Sequence, residues 1–153
     1  MASEYIDGFA SEAFHSKCDG KENTITIIKT NLNCIFGGYA SSKWNNSCNC
    51  IPDNNAFIFS LKRKGVFSPK IFSVKDPKNA LYGHKNYGPI FGKDILIKSW
   101  SNTEIGSYTD LGNVYNLPAG YTVRNDDTIS FLRGNFNNWL TVDIEVYQVT
   151  SFI

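Results

Sequence analysis

A chain of 153 residues, 42% hydrophobic and 19% charged, fits one domain with a core of its own and excludes a disordered segment. Fifteen basic and 14 acidic residues leave a net charge of +1, which provides no general attraction to nucleic-acid backbones or anionic lipid. The four cysteines, Cys18, Cys34, Cys48 and Cys50, are even in number, but a chain this long needs no disulfide scaffold, so reduced thiols are expected. Met1 to Ala10 carries Glu4 and Asp7 and lacks the basic start and apolar run of a secretory signal. No apolar run approaches the roughly 20 residues of a membrane span. These features predict an intracellular, cytoplasmic protein with a tail over residues 1–10 and one domain over 11–153, without membrane insertion.

In chain order, Ser11 is predicted to cap a short helix that places Phe14 and Cys18 on one face, with Gly20 as its left-handed stop. Thr24 to Lys29 (TITIIK) and Cys34 to Ala40 (CIFGGYA) are predicted strands joined by a turn at Asn31 to Asn33. Gly37 and Gly38 are costly within a strand and predict a bulge or a close approach by another backbone. Ser41 to Asn55, rich in Ser, Asn and Cys with Pro52, is predicted as a long loop, followed by a strand at Ala56 to Leu61.

Lys62, Arg63 and Lys64 before Gly65 suggest a solvated hairpin tip, with Ile71 to Val74 returning. Further short strands are predicted at Asn79 to Tyr82 and Ile95 to Ile97, with a loop from Ser99 to Asn116. In the last segment Val142, Ile144 and Val146 alternate with Asp143, Glu145 and Tyr147, the pattern of a half-buried strand. Many short strands, one brief helix and no βαβ alternation predict a mainly β fold. The expected architecture is a sandwich of two antiparallel sheets packed face to face, with small flanking helices.

Six blocks follow in order: Phe14-His15 with Cys18 to Lys21, Ile25 to Lys29, Ile35 to Tyr39 with Trp44, Asn55 to Leu61, Tyr87 to Gly92 with Asp94, and Glu145 to Val149. Together they resemble the TLDc family of oxidation-resistance-like proteins. The resemblance runs over roughly residues 9 to 149. It implies a two-sheet sandwich, a eukaryotic protein linked to oxidative-stress protection, and binding to the cytosolic sector of the vacuolar-type proton pump, with no settled catalytic reaction. Family members usually carry a helical stretch before the first block, so the resemblance also implies an N-terminally trimmed domain. The Cys48 and Cys50 loop departs from the family pattern.

Enzyme chemistry has few candidates. Asp143 and Glu145 lie two apart on a strand and share a face, as paired acids would, or as a solvated strand face would. Asp19 and Asp94 are the other carboxylates of interest, and His15 and His84 are the two histidines. Cys48 and Cys50 could form a peroxide-reactive or metal-binding pair. They lack a second Cys or His pair at zinc spacing, however, and Cys18 and Cys34 fall where buried residues are expected. No nucleophile elbow, HExxH motif or phosphate loop is present, and neither metal nor cofactor is expected.

The favoured reading is a non-catalytic protein-interaction domain. Tyr87, Gly88, Pro89, Phe91 and Gly92 are its candidate partner-binding residues, and Gly20, Gly37 and Gly38 its structural glycines. For the segment itself, tight turns with aromatics plugging the sandwich are the favoured reading, and partner contact is the hypothesis beside it. Two other functions stay open: an antioxidant enzyme using Cys48, Cys50 and Glu145, and a carbohydrate- or small-ligand-binding sandwich using the faces of Trp44 or Trp100.

Overall fold

Period-two alternation organises the first strands. In the computed structural model, which describes residues 8–122, 125–135 and 138–150, β1 (Thr24–Thr30) buries Thr24, Thr26, Ile28 and Thr30 on one face and turns Ile25, Ile27 and Lys29 to the other. β1 is followed by β2 (Ile35–Ala40), β3 (Ser47–Ile51), β4 (Phe57–Arg63) and β5 (Val66–Ser73). A 3₁₀ turn at Pro77–Asn79 leads into β6 (Leu81–His84), β7 (Tyr87–Phe91), β8 (Ile95–Lys98), β9 (Tyr108–Thr109) and finally β10 (Thr141–Gln148). Two helices complete the fold: α1 (Ser11–Cys18) at the start and α2 (Asp126–Arg133) before β10.

All the strand pairs are antiparallel, as expected. One sheet has five strands in the order β10-β1-β2-β4-β5. The other layer comes as two small sheets, β3-β6 and β7-β8-β9, joined by the turn between His84 and Tyr87. The core between the layers is aromatic. Trp44 lies edge-on to Phe14 and to Phe91, at 5.3 and 5.5 Å between ring centres, and Phe72 meets Phe131 of α2 at 5.6 Å.

Gly37 and Gly38 make this packing possible. They lie in continuous register, Gly37 opposite Ile27 and Phe59, Gly38 opposite Thr26 and Ile58, so the predicted bulge is not at this position. A Cβ on Gly38 would overlap the Phe91 ring on the inner face. A Cβ on Gly37 would collide with the Thr26 carbonyl oxygen and lie 2.9 Å from Phe59 Cζ on the outer face. The close backbone approach is therefore found at Gly37, and each glycine also receives a phenylalanine ring.

Several expectations are corrected. Ser11 does not cap α1: Ala10 takes the cap position without a side-chain bond, and the Ser11 N–H is donated to Ser99 Oγ at 3.0 Å. Gly20 is left-handed as expected, at φ +79°. The loop over Ser41 to Asn55 contains β3, and the Ser99 to Asn116 loop contains the short β9. The strand expected at Asn79 to Tyr82 begins two residues later, after the 3₁₀ turn. Helix α2 is an addition, closed by a reciprocal Asn125–Thr128 capping box and by left-handed Gly134.

Arg63 is not merely solvated. Its guanidinium carbon stands 3.9 Å from the Phe131 ring centre and its Nε donates to the Phe131 carbonyl, tying the hairpin to α2. Val142 is 53% exposed, so the burial alternation of β10 holds only from Ile144 onward. The predicted tail lies outside the described residues up to residue 7, while Phe9 is tied in, its carbonyl accepting the Trp100 N–H.

The Gly38–Phe91 contact generates a stability prediction. Gly38→Ala is expected to cost about 1–3 kcal/mol in urea unfolding, as forced overpacking does. Combining it with Phe91→Leu should cost less than the sum of the two single changes. Additive costs would show that the ring does not depend on the missing Cβ.

Candidate functional site

The register of the five-stranded sheet places side chains in rows across its outer face. The middle row runs Glu145, Ile27, Gly37, Phe59, Ile71 through all five strands. Beside it run Tyr147, Ile25, Tyr39, Phe57 and Ser73. Because Gly37 has no side chain, the centre of the middle row is low, and Phe59 settles there with only 7% of its surface exposed.

The result is an apolar trough of about 580 Å³, floored by Ile25, Ile27, Phe57, Phe59 and Ile71. Ile71 is 70% exposed, and Phe67 on the same edge strand is 72% exposed. Contiguous apolar surface of this kind marks interaction sites more often than isolated exposed residues do.

An acidic corner adjoins the trough. Asp143 and Glu145 line a cleft of about 260 Å³ with Ile27, Lys29 and Ile35. The Tyr147 hydroxyl donates to Glu145 Oε2 at 2.7 Å. Partial burial, and then the neighbouring charge of Glu145, push the Asp143 carboxyl above its ordinary range. The two acids do share a face, as expected, but the structure does not bring a histidine to them.

His15 lies instead between α1 and the β6–β7 turn. Its Nδ1 is 2.8 Å from Asp19 Oδ1, and its Nε2 donates toward the carbonyls of His84 and Tyr87, at 2.8 and 2.9 Å. His15 is only 7% exposed, with Nε2 holding two backbone carbonyls and Nδ1 the Asp19 carboxylate, which makes it a clamp.

The Tyr87 to Gly92 segment is largely internal. Phe91 is fully buried, so the expected exposed anchor at that position is corrected to a plug of the sandwich. Gly88 and Pro89 are buried as well; Tyr87 is half-buried with its ring 4.9 Å from that of His84, and Gly92 is left-handed beneath Val114. Trp44 is likewise buried, its indole N–H donating to Thr24 Oγ1, and cannot serve as an exposed sugar platform; Trp100 is 51% exposed.

Cys48 and Cys50 are exposed free thiols on β3, while Cys18 and Cys34 are buried. Burial, then Asp19, push the Cys18 thiol up to about 12, which keeps it protonated and unreactive. Among the described residues no three His, Cys, Asp or Glu side chains are placed to hold a metal ion. The trough went unread in the sequence. Its signal was the unbroken apolar run Phe57, Ile58, Phe59, which puts apolar side chains on both faces of β4.

Two layers of antiparallel strands around an aromatic core, with one outer face partly apolar, define a mainly β sandwich. The chain belongs to the TLDc domain family, whose model matches residues 3–150. No match is found among the curated proteins. No helix of the described residues is long and apolar enough to cross a membrane.

Asp94, within a family block, has a structural setting. Fully buried after β7, its Oδ1 accepts the N–H groups of Gly112 at 2.6 Å and Asn113 at 3.0 Å, and its Oδ2 that of Val114 at 2.7 Å. Burial pushes its carboxyl up from 3.8 to about 6, against the opposite pull of the backbone N–H groups. A folded-state value above the unfolded one means that the native state holds the extra proton between those limits. Its contribution to stability is thus present below about pH 4 and is lost as pH rises to about 6.

Urea unfolding across that window should show a decline in the native protein that is absent in Asp94→Asn. The variant itself should lose about 1–3 kcal/mol, because its amide N–H₂ meets a backbone donor. Parallel pH profiles for the two proteins would contradict this reading.

Proposed function

We propose that this chain is a non-catalytic docking module that engages a larger assembly through the outer face of its five-stranded sheet. The observation that carries the reading is the apolar trough beside Ile71, a large hydrophobic side chain left 70% exposed. Family resemblance supplies the partner, the cytosolic sector of the vacuolar-type proton pump, and with it a cytoplasmic address and a role in oxidative-stress protection. The dispersal of candidate catalytic groups supports the absence of turnover. The acids lie on the outer face, His15 is bound to backbone, and the exposed thiols are on β3.

A second reading rests on those thiols. The exposure of Cys48 and Cys50 favours peroxide-dependent thiol chemistry over the other catalytic options.

One experiment separates the two. Binding of the purified chain to the isolated cytosolic sector of the pump is expected to weaken about tenfold or more in Ile71→Lys, the loss typical of a central apolar contact. Its melting temperature should not change, since the position is exposed. Peroxide should not be consumed by the purified chain. Unaltered binding by Ile71→Lys would remove the sheet face from the proposal, and peroxide consumption lost in a Cys48→Ser, Cys50→Ser protein would establish the thiol reading in its place.

A further inference from the structure

The trough and the acidic corner are parts of one row, and together they specify what could lie there. Reading across the sheet, Ile71 and Ile27 present apolar surface on either side of Phe59, whose ring lies low over Gly37, and Glu145 closes the end with Asp143 two residues along the same strand. Four interstrand spacings make the row roughly 19 Å long, which an α-helix covers in about 13 residues. A helix that places apolar residues three and four apart along one side would meet Ile27 and Ile71 on either side of the low Phe59 ring, its closest approach falling there, over Gly37.

The charge at one end decides the partner's chemistry. Asp143 and Glu145 face the same cleft, and among the described residues the only cation lining it is Lys29, opposite Asp143. Two acids with one cation leave a net negative corner at the end of an apolar row. An acidic partner would be repelled there, and an uncharged one would leave carboxylates to lose water without compensation. A Lys or Arg at the helix end would relieve the repulsion between Asp143 and Glu145 and complete the row.

The geometry points to an amphipathic partner helix, apolar along one side and basic at one end, laid across the outer face with its basic end over Asp143 and Glu145. This inference rests on the docking reading above and adds the identity of the docked element.

The test is a random 16-residue peptide display library panned on the whole chain and counter-selected on Ile71→Lys, whose change lies on the surface. Enriched peptides should repeat apolar residues at three- and four-residue spacing and carry Lys or Arg at one end. A chosen peptide should bind an Asp143→Asn, Glu145→Gln protein about tenfold more weakly, with the difference shrinking at high salt, as for charges at an interface.

Enriched peptides with the apolar spacing but no preference for basic residues, or with equal affinity for the double variant, would overturn the basic-helix inference and leave sheet-face docking standing. If Ile71→Lys retains every selected peptide, sheet-face docking falls as well. A wild-type chain that sediments as a dimer while Ile71→Lys sediments as a monomer would assign the face to a second copy and likewise overturn the inference.

Discussion

Two adjacent positions in the middle of the central strand β2 have no side chain, and consecutive strand residues point to opposite faces. Gly37 and Gly38 therefore open one gap on each face of the five-stranded sheet, both near its centre. A ring fills each gap. Phe91 enters from the opposing layer, which brings β7 close to the sheet and lets Trp44 and Phe14 assemble edge-to-face around it. Phe59 folds over Gly37 on the outside, which lowers the floor of the trough. One dipeptide thus sets both the distance between the layers and the relief of the exposed face. It also explains why glycine is used in spite of its entropic cost: the gain is aromatic packing against the backbone that any side chain would block.

Around that frame, loops are fixed by buried polar groups that each collect several backbone partners. Asp53 accepts the N–H groups of Ser41, Ser42 and Asn55, fastening the segment before β3 to the one after it. Asp94 does the same for the turn at Gly112 to Val114, and His15 for the β6–β7 turn. An unpaired polar group in such positions would cost a kilocalorie or more, so each is engaged fully by the loop that it orders. This accounts for the carboxylates and the histidine buried inside the protein.

The strands that alternate were legible in the sequence because their periodicity reports burial directly, as in β1 and the second half of β10. Strand β3 was not, because Ser47, Cys48, Asn49 and Cys50 are all exposed and carry no alternation; its extended state comes from pairing with β6, a contact distant in sequence. Helix α2 escaped for another reason. Its buried residues are Thr128, Phe131, Leu132 and Arg133, only two of them apolar, inside a polar stretch, although Asn125 before Thr128 and Gly134 after Arg133 are start and stop signals. In the segment from Tyr87 to Gly92 the glycines and proline suggested tight turns, with either an exposed anchor or aromatics plugging the sandwich, whereas Gly88 and Pro89 lie within a buried strand over the core. Burial on both faces of β4, in contrast, was written in its unbroken apolar run and signified an outer face that is itself hydrophobic.

An apolar sheet face invites self-association, and the arrangement of charge around this one bears on what it excludes. Edge strand β5 carries Pro69, which offers no N–H to a neighbouring strand, followed by Lys70; β4 and β5 also lose register between Ser60 and Lys62, which interrupts a flat edge. The opposite edge strand, β10, presents Asp143 and Glu145. Copies meeting edge to edge through β10 would bring like charges together, and copies meeting through β5 would meet a strand that lacks a continuous ladder of donors. Neither device obstructs approach from above, onto Ile27, Phe59 and Ile71. The edges are thus protected against further strands while the described residues leave the face open, a combination suited to the proposed helix and poorly suited to extension of the sheet.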